Sequence, residues 1–129
     1  MSKRFVVAVS FALATSVACG GISSPSQNKQ EPFSGVLQVG GNAHFRVDVA
    51  NGGEYSVRIT QLTPTVTATV GVAWYQGGNC DFLQQQNYAT LNTAALVGAI
   101  YQKGAYCVVI FDIGTLTVPQ NFTLVVSHP

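Results

Sequence analysis

The stretch GAYCVVIFD, residues 104–112, decides how the rest of the chain is read. Its Val, Ile, Tyr and Phe content favours a strand, and Lys103-Gly104 before it and Gly114 after it punctuate both ends. The run is apolar at consecutive positions, so both of its faces are expected to be covered. A strand of that kind belongs in the middle of a sheet, and residues 108–111 are placed there. It also carries Cys107, which needs a partner.

Working outward, the clearest alternation lies upstream. Phe45, Val47 and Val49 alternate with His44, Arg46 and Asp48; Tyr55, Val57 and Ile59 alternate with Ser56, Arg58 and Thr60. Each segment predicts a strand with one buried and one wet face. A two-residue Asn51-Gly52 turn between them would set Val49 opposite Glu54, a core residue against a solvent one. Directly opposed residues share a face, so parity excludes the simple hairpin. Either a three-residue loop with a glycine bulge joins the strands, or they lie in different sheets and the connection is an arch.

Further along, Val66, Ala68, Val70, Val72 and Trp74 alternate with Thr67, Thr69, Gly71, Ala73 and Tyr75, predicting another strand. Residues 76–81 read as a loop, and Gln84-Gln85-Gln86-Asn87 is too polar for core. Residues 33–39, 88–91, 96–101 and 121–127 complete the strand set, although 93–96 could equally form one helical turn. Seven to eight short strands without a helix-length period predict an all-β fold, a two-layer antiparallel, jelly-roll-like sandwich.

Ahead of this domain, residues 1–18 read as an export signal. Lys3 and Arg4 form the basic start, residues 5–17 the apolar stretch, and Ser16-Val17-Ala18 the small-residue cleavage region. The apolar run of about thirteen residues is shorter than the roughly twenty needed to span a bilayer. Residues 20–32, GGISSPSQNKQEP, read as a flexible linker with a reach of roughly 20 Å. The expected organisation is therefore signal 1–18, tether 19–32 and sandwich 33–129.

Val17-Ala18-Cys19-Gly20 resembles the lipobox of bacterial lipoproteins, with Ser16 standing where that family usually has Leu, Val or Ile. The resemblance implies that Cys19 is lipidated and holds the protein to a membrane, exported to the cell envelope. Cleavage after Ala18 without lipid, leaving a secreted protein with a free thiol, is the alternative. Three cysteines are an odd number for an exported chain. If Cys19 is the anchor, Cys80 and Cys107 remain to pair in an oxidising compartment; two separate buried thiols are the other possibility.

Charged residues make up 9% of the sequence, against roughly 25% in an ordinary soluble protein. From Cys19 onward four basic residues face five acidic ones, a net charge of −1. Four scattered cations make no phosphate-binding patch, so nucleic acid is not an expected partner.

Only His44 and His128 could serve a serine triad, and both read as surface histidines. No Gly-x-Ser-x-Gly, Cys-x-x-Cys, His-Glu-x-x-His or phosphate-binding glycine loop is present. Asp48 and Glu54 near the 51–53 turn could ligate calcium, but read better as solvated turn charges. No cofactor, metal or enzymatic activity is expected. The binding signal is aromatic: Trp74 and Tyr75 border the Gly77-Gly78-Asn79 loop, Phe82 and Tyr88 flank the glutamines, and flat rings on an exposed edge can stack on sugar faces or partner side chains. Core packing of Trp74 is the alternative reading.

Residues 45–62, 66–75, 104–111 and 122–126 together resemble the bacterial pre-peptidase C-terminal domain, a small jelly-roll-like sandwich attached to exported enzymes. That resemblance implies an accessory or binding module, and it carries no catalytic residues. Three functions stand as expectations: an envelope-anchored, non-catalytic binding or structural module that contacts polysaccharide or envelope protein; a carbohydrate-binding module using the 74–88 region; and a secreted accessory domain of a hydrolase system.

Overall fold

The structure, a computed structural model, describes residues 25–129. The expected export signal, Cys19 and the first part of the tether lie outside the described residues. A short 3-10 turn, Pro25–Gln27, leads into eight strands: β1 Lys29–Leu37, β2 Asn42–Val49, β3 Gly53–Thr63, β4 Ala68–Gln76, β5 Asn79–Ala89, β6 Ala94–Ile100, β7 Gly104–Phe111 and β8 Gln120–His128. All pair antiparallel into two four-stranded sheets, ordered β1-β8-β3-β6 and β2-β7-β4-β5. A single parallel bridge between Ile59 and Leu91 adds to the first sheet.

This order is that of a jelly roll. The chain behaves as one long hairpin whose arms pair β1 with β8, β2 with β7, β3 with β6 and β4 with β5. Successive pairs fall alternately in the two sheets as the hairpin wraps. Its tip is the two-residue turn Gly77-Gly78, with φ of 59° and 88°. Positive φ at both central positions matches the right-handed twist of the flanking strands, and glycine adopts it without steric cost.

The 104–112 stretch lies where its composition put it, as β7 between β2 and β4. β2 and β3 lie in different sheets, so their connection is an arch and the glycine-bulge hairpin is excluded. Three expectations are corrected. The tether does not extend to Pro32, because β1 begins at Lys29; Pro32 is accommodated on an edge strand, where a missing N–H breaks no ladder. Residues 79–87 are not loop but most of β5. His128 is 2% exposed rather than at the surface, since β8 is flanked by β1 and β3 and its last residues are covered with the rest.

The core between the sheets is built from the inward rows of both, with Val57, Ile59, Val70, Ile110, Phe122 and Leu124 almost wholly buried. Its two open sides are closed differently. On the β1–β2 side, Phe33 stacks on Phe45 at 4.7 Å and Phe45 meets Phe122 edge-on at 6.0 Å. On the β5–β6 side, amides do the work. Gln85 and Asn87 stand opposite core residues Val72 and Val70, so they point inward. Asn87 Nδ2 donates to Ala95 O (3.0 Å), Gln85 Nε2 reaches Val97 O (3.5 Å), and the Tyr55 hydroxyl donates to Gln85 Oε1. Polar residues thus satisfy backbone carbonyls of the neighbouring edge strand.

Gln85→Ala is expected to lower stability by about 1–3 kcal/mol, because it leaves the hydroxyl of the buried Tyr55 without an acceptor. Gln86→Ala, one residue along and facing outward, should leave stability unchanged. Urea unfolding of the two variants checks this, and equal losses would contradict it.

Candidate functional site

The outer face of the second sheet carries a broad concavity. Pairing across its four strands brings Asn42, Phe111, Thr69 and Tyr88 side by side, then His44, Val109, Gly71 and Gln86, then Arg46, Cys107, Ala73 and Leu83. Along the groove, β4 presents Thr69, Gly71 and Ala73 on this face, ahead of Tyr75 at the strand's end. Small side chains flanked by larger ones leave a trough along the strand.

One wall of the trough comes from β5. Pairing between β4 and β5 runs Val72 with Gln85, Ala73 with Leu83 and Trp74 with Asp81, so Gln84 and Phe82 are each extra residues. Two successive bulges bend a strand and increase its twist. β5 and β7 flank β4 on opposite sides and would ordinarily lie about 9.5 Å apart, twice the strand spacing. Cys80 of β5 and Cys107 of β7 nevertheless have their Cα atoms 5.7 Å apart and form a disulfide. The start of β5 therefore curls over the outer face of β4. Leu83 lies against Gly71, where any Cβ would overlap its Cδ1 atom.

The result is a groove of about 630 Å³ bounded by Asn79, Cys80, Asp81 and Leu83 on one side and by Gly40, Gly41, Asn42 and His44 on the other. A second hollow of about 200 Å³, between Thr69, Gln86, Tyr88, Phe111 and Ile113, shares Phe111 with it. The side chains of Asn42, His44, Asn79, Asp81 and Gln86 make no hydrogen bond among the described residues. Thr69 is 4% exposed, and its hydroxyl has no partner either. A buried hydroxyl without a partner is uncommon, because its desolvation goes uncompensated.

Asp112 closes the end of the groove and is fully committed. Its Oδ2 accepts from Gly40 N (2.8 Å), and its Oδ1 accepts from the N–H groups of Gly114 (3.0 Å), Thr115 (2.8 Å) and Leu116 (3.1 Å). The Gly40 amide, followed by the three loop amides, holds its carboxyl down to about 2. It ties the β1–β2 turn to the β7–β8 loop and has no role left as a general acid or base.

The aromatic residues singled out in the sequence are not brought together. Trp74 lies on the inner face, stacked on Tyr106 at 4.7 Å. Tyr75 lies on the outer face beneath the Arg46 guanidinium, 4.8 Å from its ring centre. Tyr88 is 64% exposed on the same face, opposite Thr69, about 20 Å along the strand from Tyr75. Phe82 occupies a bulge position of β5. Asp48 pairs with Arg46 on the second sheet, whereas Glu54 stands on the first, so they form no calcium site. Among the described residues no group of three metal-ligating side chains occurs. His44 is exposed on the outer face, as expected.

The sequence did not single out Thr69, Phe111, Asn42, Asn79 or Gln86 as site residues. The one legible signal was the Thr69-Gly71-Ala73 row of small side chains opposite the strand's apolar row.

Stability should fall as the pH drops from about 4 to about 2. The unfolded carboxyl of Asp112 takes up its proton near its ordinary 3.8, the folded one only at about 2, so the stabilisation is complete above 4 and lost in that window. Urea midpoints at pH 2, 3 and 4 should show a shallower fall in Asp112→Asn than in the unaltered protein; parallel curves would contradict the assignment. No protein-family model matches the chain, and no curated protein matches it in sequence.

Proposed function

We propose that the protein is an exported, membrane-anchored lipoprotein of the cell envelope whose jelly-roll domain is a non-catalytic binding module, and that the outer groove takes an extended, uncharged polysaccharide. The observation that carries this reading is the trough itself. It is long and open, it collects unengaged amide, imidazole and hydroxyl groups, and it ends beside the exposed ring of Tyr88. Sugar chains present alternating hydroxyls and flat C–H faces, which such a lining complements.

A non-catalytic role is supported by the state of the carboxylates. Of the two in the groove, Asp112 is locked by four backbone donors, and Asp81 has no second carboxylate to work with. Export is supported by the Cys80–Cys107 disulfide, a bond favoured in oxidising compartments. Attachment through Cys19 and the resemblance to the pre-peptidase C-terminal domain both fit an accessory module. Among the described residues no helix is long and apolar enough to cross a membrane.

Sedimentation with insoluble cellulose, chitin and β-1,3-glucan tests the binding. The unaltered protein should be retained by at least one, and Tyr88→Ala should weaken retention about ten-fold through loss of ring stacking. Thr69→Val, which keeps the shape but removes the hydroxyl, should weaken it as well without loss of stability. Absence of retention across the panel, or full retention by both variants, removes the polysaccharide reading. Mass measurement of the mature protein tests the anchor: a diacylglyceryl mass on Cys19 is expected, and an unmodified amino terminus would leave a secreted module.

A further inference from the structure

The curled β5 strand also borders a separate cavity, on the opposite face from the groove. A cavity of about 330 Å³ opens on the β5–β6 side of the sandwich, lined chiefly by Tyr55, Val72, Trp74, Ile100, Tyr101 and Tyr106. One wall is the stacked pair of Trp74 and Tyr106, whose rings are 4.7 Å apart and inclined by 28°. The floor is Tyr55, seated against Gly98, where a Cβ would lie 2.7 Å from the tyrosine ring. Tyr101, 82% exposed, stands at the mouth.

The chemistry of this lining is narrow. The hydroxyl of Tyr106 donates to Gln102 O (2.7 Å), and that of Tyr55 donates to Gln85. Both buried tyrosines therefore turn ring surface, not hydroxyl, toward the space. No Asp, Glu, Lys, Arg or His lines it. A charged ligand would give up its hydration without a counter-charge. Gln84 and Gln102 are the amide side chains of the lining and the rest is rings and alkyl groups, so a sugar would leave most of its hydroxyls unpaired. The volume is at the low end of the roughly 300–1,000 Å³ of small-molecule sites, room for about one ring.

We infer that this cavity binds an uncharged, apolar small molecule of single-ring size, an aromatic compound stacking within the Trp74, Tyr106 and Tyr101 rings. The site is separate from the outer groove and does not depend on what that groove binds.

Trp74 is the chain's one tryptophan, so its fluorescence reports on the cavity directly. Titration of the oxidised protein with benzyl alcohol should give a saturable change in Trp74 emission. Methyl glucopyranoside and benzoate, as sugar and charged-ring probes, should give none. Tyr101→Ala, at a position too exposed to affect folding, should weaken benzyl alcohol binding at least about five-fold. A merely linear response to benzyl alcohol, an equal saturable response to methyl glucopyranoside or to benzoate, or unaltered binding in Tyr101→Ala would overturn the inference.

Discussion

The structure depends on one covalent constraint, the bond from Cys80 of β5 across β4 to Cys107 of β7. Strands on opposite sides of a common neighbour do not ordinarily come within disulfide reach. They do so here because β5 carries two extra residues and bends over the outer face of β4. Closing a loop with a sequence separation of 27 contributes about 3–4 kcal/mol on the chain-entropy model, a large share of the net stability of a domain this size. The bent strand is then a wall common to two spaces. Its outward residues bound the polar groove, and its opposite face borders the aromatic cavity.

The hairpin tip is therefore both the least regular part of the sandwich and the part that walls both spaces. The first sheet carries a hollow of about 340 Å³ on its outer face, among Gln30, Ser56, Arg58, Thr60, Val125 and Ser127. On the first sheet the outward rows are small polar residues bonded to one another, with Gln30 donating to Ser127, Ser34 sharing a hydrogen bond with Thr123, and Thr123 donating to Gln61. Edge strand β1 carries Pro32 together with Lys29 and Glu31, and Lys29, followed by His128, holds the Glu31 carboxyl below its ordinary value. Prolines and charges on an edge discourage pairing with other chains.

Legibility in the sequence followed burial. The 104–112 stretch was readable as a central strand from its apolar run, but apart from Cys107 only its inner row is fully covered: the outward Val109 and Phe111 are half-buried and line the groove. The arch between β2 and β3 was narrowed to one of two options by parity alone, since a wrong register would have put Glu54 in the core. β5 was opaque because Gln85 and Asn87 occupy inward positions by hydrogen bonding to β6 carbonyls, which apolar alternation cannot detect. The burial of His128 was hidden because strand order, not strand position along the chain, places β8 inside its sheet. The aromatic signal was half legible. Trp74 does line a cavity, but its companions there are Tyr55, Tyr101 and Tyr106, which the pattern placed simply in strands, while Tyr88 stands on the outer face. The cysteine pair was readable by counting, but its effect on shape was not, because the bulges that permit it, at Phe82 and Gln84, carry no turn signal.

The claim that the disulfide holds β5 in its bent course is tested most directly by comparing amide chemical shifts of the oxidised protein with those of a Cys80→Ser, Cys107→Ser variant. The account predicts that the variant remains folded with the first sheet unperturbed. Shift changes should spread along residues 79–85 to Gly71, which loses Leu83, and to Trp74 in the cavity. Changes confined to the immediate neighbours of positions 80 and 107 would show that the bulges alone hold the strand, and would contradict it.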